Sequence, residues 1–127
     1  MKTLLIIDDD QPLLEVLALV FKREGWRTIT AADAAAGLAA FSRQPVDVVL
    51  VDMIMPGADG LSCSRQLRAL APAIPIFLMS GADPRLYGSA CESAGVTGIV
   101  PKPFSPETLI ATLREAFAPG LNGEDGV

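Results

Sequence analysis

The sequence predicts an α/β protein built on a doubly wound, five-stranded parallel sheet with helices on both faces. Short apolar runs rich in Val, Ile and Leu recur along the chain, and each run is too short to form a helix. Amphipathic segments of helical period lie between them, so strand and helix alternate along the whole chain. The length of 127 residues suits one domain with its own core.

The predicted strands differ in polarity. The second strand, Arg27–Ala31, alternates polar and apolar residues, which places it at an edge of the sheet. The other strands are nearly continuous apolar runs, as expected of parallel strands that are covered on both faces. They are predicted at residues 3–7, 46–51, 75–79 and 97–100.

Helical segments fill the intervals and carry start and stop signals. The first helix, residues 12–24, is followed by Gly25 as a stop signal. The last begins with Ser105 as N-cap and Pro106 at its first position. The remaining helices are predicted at residues 33–43, 60–71 and 83–94. The predicted core positions are Leu13, Leu17, Val20 and Phe21 in the first helix, Cys63, Leu67 and Leu70 in the third, and Leu109, Leu113 and Phe117 in the last.

Polar side chains follow the buried strands at the points where these strands end. With a flavodoxin-like strand order of 2-1-3-4-5, ligands bind beyond the carboxyl ends of strands one and three, where the order reverses. Because parallel strands end at the same edge of a sheet, we expect these side chains to meet there. They are Asp8, Asp9 and Asp10 after strand one, Asp52 after strand three, Ser80 after strand four and Lys102 after strand five.

Converging carboxylates need a counter-charge, because two of them about 4 Å apart repel by roughly 4 kcal/mol at an effective dielectric constant of 20. Mg²⁺ prefers oxygen ligands and would supply that charge, and Lys102 adds another. A magnesium ion that keeps several waters is suited to holding a phosphoryl group, whose oxygens Ser80 and Lys102 would help to neutralise. Asp52 stands alone in the centre of the site, so we predict that it is the nucleophile that forms an aspartyl phosphate.

Composition excludes several other classes of function. The sequence has no histidine, so Ser-His-Asp and Cys-His nucleophiles and His-ligated zinc are excluded. The net charge of −5 argues against nucleic-acid binding by this domain. No apolar run is long enough to span a membrane and no signal peptide precedes the first strand, so we expect a cytoplasmic protein. Cys63 and Cys91 lie in helical segments without a CxxC pattern and are predicted to be buried thiols.

The motifs "IIDDD", "VDMIMPGADG", "FLMSG" and "VPKPF" follow one another in the order and at the spacing found in one family. Through them, residues 3–117 resemble the receiver domain of two-component response regulators, as in chemotaxis regulators. The resemblance implies that Asp52 accepts a phosphoryl group from a sensor histidine kinase or a phosphotransfer protein, and that the domain then controls a downstream partner or an output domain.

The resemblance also implies how the acids divide their roles. Asp9 and Asp52 would ligate Mg²⁺ through their side chains, and the Ile54 carbonyl would complete the protein ligands. Asp8 would act on the metal through water and hydrogen bonds. Asp10 would be a bystander beside the acidic pair.

Four further positions follow from the same resemblance. Ser80 would be the switch hydroxyl and Lys102 a phosphate contact, aimed into the site by a cis peptide bond before Pro103. Family members usually carry Tyr or Phe three residues before the lysine, and here that position is Ile99. An isoleucine cannot signal by burying an aromatic ring, so the surface of helix four, strand five and helix five, including any homodimer formed through it, would work differently.

The side chains of Ile54 and Ala82 border the site and cannot orient an attacking water by hydrogen bonding. We therefore expect the phosphoryl group to hydrolyse slowly without a phosphatase.

The domain is expected to span residues 1–118, with residues 119–127 as a flexible tail or linker. Two alternatives stay open: a receiver-like interaction module that works without phosphorylation, and a phosphatase of the haloacid dehalogenase type, whose Asp-x-Asp-x-Thr or Val signature is disrupted here by Pro12.

Overall fold

A computed structural model describes residues 1–55 and 57–117 and shows a central sheet of five parallel strands. The strands are β1 (Thr3–Ile7), β2 (Arg27–Ala31), β3 (Val48–Asp52), β4 (Ile76–Ser80) and β5 (Gly98–Pro101). Their order in the sheet is β2-β1-β3-β4-β5, which confirms the predicted topology and the edge position of β2.

Helices connect the strands as crossovers. They are α1 (Gln11–Arg23), α2 (Ala34–Arg43), α3 (Gly60–Leu70), α4 (Gly88–Ala94) and α5 (Pro106–Glu115). A short antiparallel ribbon, Ile54–Met55 with Ala58–Asp59, lies between β3 and α3. Pro56, which belongs to the "VDMIMPGADG" motif, lies outside the described residues. None of the helices in the described ranges is long and apolar enough to cross a membrane.

The prediction of one helix over residues 83–94 is wrong. A 3₁₀ turn, Pro84–Leu86, comes first, and α4 begins only at Gly88. The Leu86 N–H donates to the Asp83 carbonyl oxygen at 3.0 Å, which closes the turn after one step. Tyr87 then takes φ −143°, a backbone angle that a helix cannot use, so the turn and α4 are separate.

The core has two layers, one on each face of the sheet. Successive residues of β1 point to opposite faces. Leu5 and Ile7 pack with residues of α2, α3 and α4, whereas Leu4 and Ile6 pack with residues of α1 and α5. Because both faces are covered, the central strands bury every apolar side chain, which explains their continuous apolar runs.

Most of the predicted core positions are buried. The exceptions on α1 are Leu13 and Val20, which are partly buried, while Leu14 is fully buried. On α3 the prediction for Leu70 is wrong, because its side chain is 59 % exposed. The buried positions of α3 run from Gly60 through Cys63, Ser64 and Leu67, so the next residue on that face is Ala71 and not Leu70.

The cysteines are buried thiols, as predicted. Burial raises the pKa of Cys63 to about 11 and also raises the pKa of Cys91.

Near the end of the described residues, Phe117 is partly buried, and its ring contacts that of Trp26 edge-on, with 6.1 Å between the ring centroids. The predicted domain limit at residue 118 and the predicted tail lie outside the described residues.

Candidate functional site

Three carboxylates converge at the carboxyl edge of the sheet. β1 and β3 are neighbours in register, with Ile7 beside Val51, so the acids that follow them end up close together. The carboxylate oxygens of Asp8, Asp9 and Asp52 lie within 4.8 Å of one another. Asp8 and Asp52 are buried at 1 % and 8 % exposure, and Asp9 is exposed. The cluster therefore combines a buried pair with one acid that faces solvent.

Lys102 supplies the positive charge of the site. Its Nζ lies 3.0 Å from Asp52 Oδ1 and 3.2 Å from Asp8 Oδ2. The Lys102 N–H donates to the Ser80 carbonyl oxygen at 2.8 Å, which ties the end of β5 to the end of β4. The peptide bond between Lys102 and Pro103 is cis.

Burial and charge shift the pKa values of both central groups upwards. Burial, together with the negative charges of Asp8 and Asp9, raises the pKa of Asp52 above its ordinary value in spite of the hydrogen bond from Lys102. Burial alone would lower the pKa of Lys102, but its hydrogen bond to Asp52 and the charges of Asp8 and Asp52 outweigh it and leave that pKa raised. Lys102 therefore stays an ammonium, which the carboxylates of Asp8 and Asp52 share.

The three acids of the "DDD" motif have different surroundings. Both oxygens of Asp8 are engaged, since Oδ1 accepts the Asp10 N–H at 2.9 Å and Oδ2 accepts Lys102. Asp10 is the N-cap of α1 and accepts the Leu13 N–H at 3.1 Å. Asp9 points its carboxylate toward solvent within the cluster. Residue type does not separate these roles, because the three residues are identical, and in the sequence only the family resemblance does.

This donor set fits a hard divalent cation. Magnesium binds carboxylate and carbonyl oxygens and retains several waters, so it suits a site that is open on one side. The cluster has a buried acid, Asp52, an accessible acid, Asp9, and fewer positive charges than negative ones. A divalent cation would balance that excess of negative charge.

Ser80 ends β4 at the same edge and is buried at 3 % exposure. β4 pairs with β3 so that Met79 lies beside Asp52, which brings the serine into the neighbourhood of the acids. The Ser80 hydroxyl accepts the Ala82 N–H at 3.0 Å and is thus engaged with its own loop. Tyr87, the residue just before α4, donates its hydroxyl to the Ala82 carbonyl oxygen at 3.2 Å.

The segment after Asp52 is held against β4 and α3. The Met53 N–H donates to the Met79 carbonyl at 2.9 Å, and the Gly60 N–H donates to the Met53 carbonyl at 2.8 Å. A Cβ on Gly60 would collide with the Asp52 carbonyl oxygen, so only glycine allows α3 to begin this close to the central acid. Ile54 lies in the ribbon with its side chain 77 % exposed.

A cavity of about 380 Å³ opens beside the ammonium group. Its lining combines one carboxylate and one ammonium with three apolar side chains, namely Asp10, Leu13, Lys102, Pro103 and Phe104. Space of this size can admit a side chain of a partner or a small molecule beside Lys102. Away from this cavity, Ile99 occupies the position where family members usually carry Tyr or Phe. Its side chain is partly buried and packs on the core layer beneath α2, α3 and α4.

Residues 4–114 match the family model of the response regulator receiver domain, and the chain belongs to that family. It is therefore a signalling domain of two-component systems, a class in which phosphorylation on aspartate is a general property.

Curated relatives include three mycobacterial regulators. The chain is 36 % identical over 112 residues to the probable transcriptional regulatory protein TcrX of Mycobacterium tuberculosis, covering 88 % of this chain and 48 % of that protein. It is 30 % identical to the sensory transduction protein RegX3 of Mycolicibacterium smegmatis over 98 % of this chain and 54 % of the relative. It is 32 % identical to the DNA-binding response regulator MtrA of the same organism, over 87 % of this chain and 48 % of that protein. The chain thus spans about half the length of these relatives.

Solved structures agree with the fold. The chemotaxis protein CheY4 of Vibrio cholerae superposes with a TM-score of 0.88 at 27 % identity, covering 91 % of this chain and 98 % of that one. The response regulator TrrA of Thermotoga maritima, solved in complex with Mg²⁺ and BeF, has a TM-score of 0.82 at 27 % identity over 91 % of this chain and 99 % of that one. Receiver domains bind Mg²⁺ at an acidic cluster of the kind formed here by Asp8, Asp9 and Asp52.

Proposed function

We propose that Asp52 accepts a phosphoryl group from a sensor histidine kinase or a phosphotransfer protein, in a reaction that depends on Mg²⁺. The observation that carries this proposal is the position of the Asp52 carboxylate, which is buried, central among the acids and 3.0 Å from the Lys102 ammonium. It combines a nucleophile with a charge that can neutralise phosphoryl oxygens.

Asp9 and Asp52 would hold the metal through their side chains, with the Ile54 carbonyl as a third protein ligand. The surroundings of Asp8 support an indirect role for it, since each of its oxygens already accepts a hydrogen bond, one from the Asp10 N–H and one from Lys102. When bound, Mg²⁺ offsets the excess negative charge of the acids and allows a phosphoryl group to approach them.

In the transfer itself, an oxygen of the Asp52 carboxylate attacks phosphorus and forms an O–P bond while the P–N bond of the donor phosphohistidine breaks. The electron pair of that bond stays on the imidazole nitrogen. Lys102 remains protonated because its pKa is raised, and it moves its contacts from the acids to the new phosphoryl oxygens. The cavity beside Lys102 provides the space for the donor side chain.

Ser80 then serves as the switch, because its hydroxyl can turn toward the phosphoryl group and carry its loop with it. The domain catalyses only its own phosphotransfer and its own dephosphorylation. Neither the exposed Ile54 side chain nor Ala82 can hold an attacking water, so hydrolysis of the phosphoryl group is slow.

The switched domain acts on a downstream protein or on an output domain, and the names of TcrX and MtrA support a transcriptional output of that kind. The domain itself does not bind nucleic acid, in keeping with its charge of −5.

Membership in the family supports a cytoplasmic location. A homodimer would use the face formed by α4, β5 and α5.

Intact-protein mass spectrometry tests the proposal. The protein is incubated with acetyl phosphate, with and without Mg²⁺, and compared with Asp52→Asn and with Asp33→Asn. Asp33 caps α2, and asparagine caps equally well, so this variant controls for the substitution itself. We expect one Mg²⁺-dependent phosphate on the wild type and on Asp33→Asn and none on Asp52→Asn. A folded wild type that binds Mg²⁺ but takes no phosphate would favour the interaction module that works without phosphorylation.

A further inference from the structure

A chain of hydrogen bonds leads from the phosphoryl site to α4. The Ala82 N–H donates to Ser80 Oγ at 3.0 Å, and the Tyr87 hydroxyl donates to the Ala82 carbonyl oxygen at 3.2 Å. Both bonds meet at Ala82, whose N–H and carbonyl flank a single Cα. A displacement of Ala82 therefore changes both bonds at once.

Tyr87 stands where this loop joins α4. Its ring is partly buried against the core layer beneath α2, α3 and α4, while its hydroxyl reaches back to Ala82. In the described part of the chain, no side chain caps the N-terminus of α4, which is seven residues long. The bond from Tyr87 to Ala82 is thus a main link between the start of α4 and the loop that follows β4.

The position that usually carries an inward-turning aromatic residue cannot perform that task here. The side chain of Ile99 has no polar atom, so that side chain forms no hydrogen bond with the loop. The sequence contains one tyrosine, and that tyrosine bonds to the loop from α4.

We propose that Tyr87 is a positioning residue for Ser80, which it acts on through Ala82. This inference rests on the proposed function, since it concerns how Ser80 responds to a phosphoryl group on Asp52. In the resting state, Tyr87 holds Ala82 where its N–H engages Ser80 Oγ. Rotation of Ser80 to another staggered rotamer, toward the phosphoryl oxygens, separates Oγ from that N–H.

The loss of the Ser80 bond lets Ala82 shift, and the Tyr87 hydroxyl then loses its acceptor. The 3₁₀ turn before Tyr87 then shifts as a unit, since its own bonds join Asp83 to Arg85 and Leu86 and involve neither Ala82 nor the Tyr87 hydroxyl. This turn carries Leu86, whose side chain is 79 % exposed and therefore available to a partner. The phosphorylation signal leaves the domain at this turn and α4, not at Ile99.

Fluorine NMR tests the relay directly. A protein labelled with 3-fluorotyrosine gives a single resonance, because the sequence has one tyrosine. We expect the resonance to move when acetyl phosphate and Mg²⁺ phosphorylate the wild type, and to stay in place in phosphorylated Ser80→Ala.

The outcomes separate the relay from the function on which it rests. An unmoved resonance in a wild-type sample that carries phosphate, as measured by mass, overturns the relay and leaves phosphorylation of Asp52 intact. A sample that takes no phosphate overturns both.

A second test removes only the hydroxyl. Tyr87→Phe keeps the packed ring and frees Ala82, so we expect acetyl phosphate to phosphorylate it about three- to tenfold faster, the change expected for one resting-state hydrogen bond. Ser42→Ala is the matched control, because the Ser42 hydroxyl makes a similar exposed bond to the Leu38 carbonyl at 3.0 Å, remote from the site. We expect its rate to equal that of the wild type. A Tyr87→Phe rate equal to the wild-type rate contradicts the proposal, since a purely structural role would alter stability and not this rate.

Discussion

The two sides of the phosphoryl site are built differently. On the acid side, the β1–α1 and β3–α3 connections hold Asp8 and Asp52 in buried positions, tied by Lys102. On the other side, the β4–α4 connection includes two hydrogen bonds that meet at Ala82 and leads into a short helix without a side-chain cap. The acid side is suited to holding a metal and a phosphoryl group without moving. The β4–α4 side is suited to moving.

Helix capping shows the same contrast. Asp10 caps α1, Asp33 caps α2, Asp59 caps α3 and Ser105 caps α5, each by accepting a backbone N–H. Tyr87 occupies the corresponding position before α4 and caps nothing within the described residues. A side-chain cap contributes about 1 kcal/mol, so α4 starts with less local stability than its neighbours. Among the described helices, the one that starts without a side-chain cap is therefore the helix that follows Ser80.

Gly60→Ala is the change with the largest expected effect, because it forces the acid side to move. The added Cβ meets the Asp52 carbonyl oxygen and Met53 Cα, neither of which can yield without moving the backbone. We expect the free energy of unfolding to fall by about 2–3 kcal/mol, measured by urea denaturation. Gly81→Ala on the β4–α4 side is the control, since its Cβ would meet nothing within 4 Å. Equal losses in both variants would contradict the contrast between the two sides.

The lifetime of the phosphoryl group tests which side can position water. Ile54→Asn adds an amide on the acid side, and Ala82→Asn adds one on the β4–α4 side. We expect Ile54→Asn to shorten the lifetime roughly three- to tenfold, because an amide beside a fixed site can orient an attacking water. Decay is followed by intact mass after removal of the phosphodonor, with Ile54→Val as the apolar control. A wild-type lifetime of seconds would contradict the slow hydrolysis proposed above.

Asp52→Asn is expected to stabilise the metal-free protein by about 1 kcal/mol at neutral pH. The pKa of Asp52 is raised in the folded state, so ionising this carboxyl costs more there than in the unfolded chain. The contribution of Asp52 to stability therefore falls as pH rises from the ordinary carboxyl pKa through the raised pKa of the folded state, and the advantage of the variant disappears once acid protonates Asp52 in both states. Thermal unfolding in EDTA between pH 4 and pH 8 measures the difference. Adding Mg²⁺ should narrow it, and a variant less stable than wild type at neutral pH would contradict this balance of charges.

Gly88→Ala has the smallest expected effect. Gly88 begins α4, and a Cβ there would meet nothing within 4 Å, so alanine gains helix propensity without a clash. We expect about 0.5 kcal/mol of added stability, measured by urea denaturation. Ser105→Ala is the companion on a capped helix and should lose about 1 kcal/mol instead. A loss of stability in Gly88→Ala would show that the start of α4 is more tightly constrained than its contacts indicate.

Much of the fold is readable from local patterns. Continuous apolar runs predict β1 and β3 because strands covered on both faces leave no position for a polar side chain. The convergence of the acids follows from the topology, since parallel strands deliver their last residues to one edge. Leu70 shows the limit of such reasoning, because its exposure depends on how α3 is rotated against the sheet, and periodicity leaves that rotation uncertain by one residue.

Residue type and spacing predict the alternation of strands and helices, the edge where Asp8, Asp52, Ser80 and Lys102 meet, and the need for a counter-charge among the acids. The folded structure is needed to see that both Asp8 oxygens accept hydrogen bonds, that Gly60 must approach the Asp52 backbone, and that Tyr87 reaches Ala82. These properties depend on distances between chain segments, which packing sets and which no local pattern records.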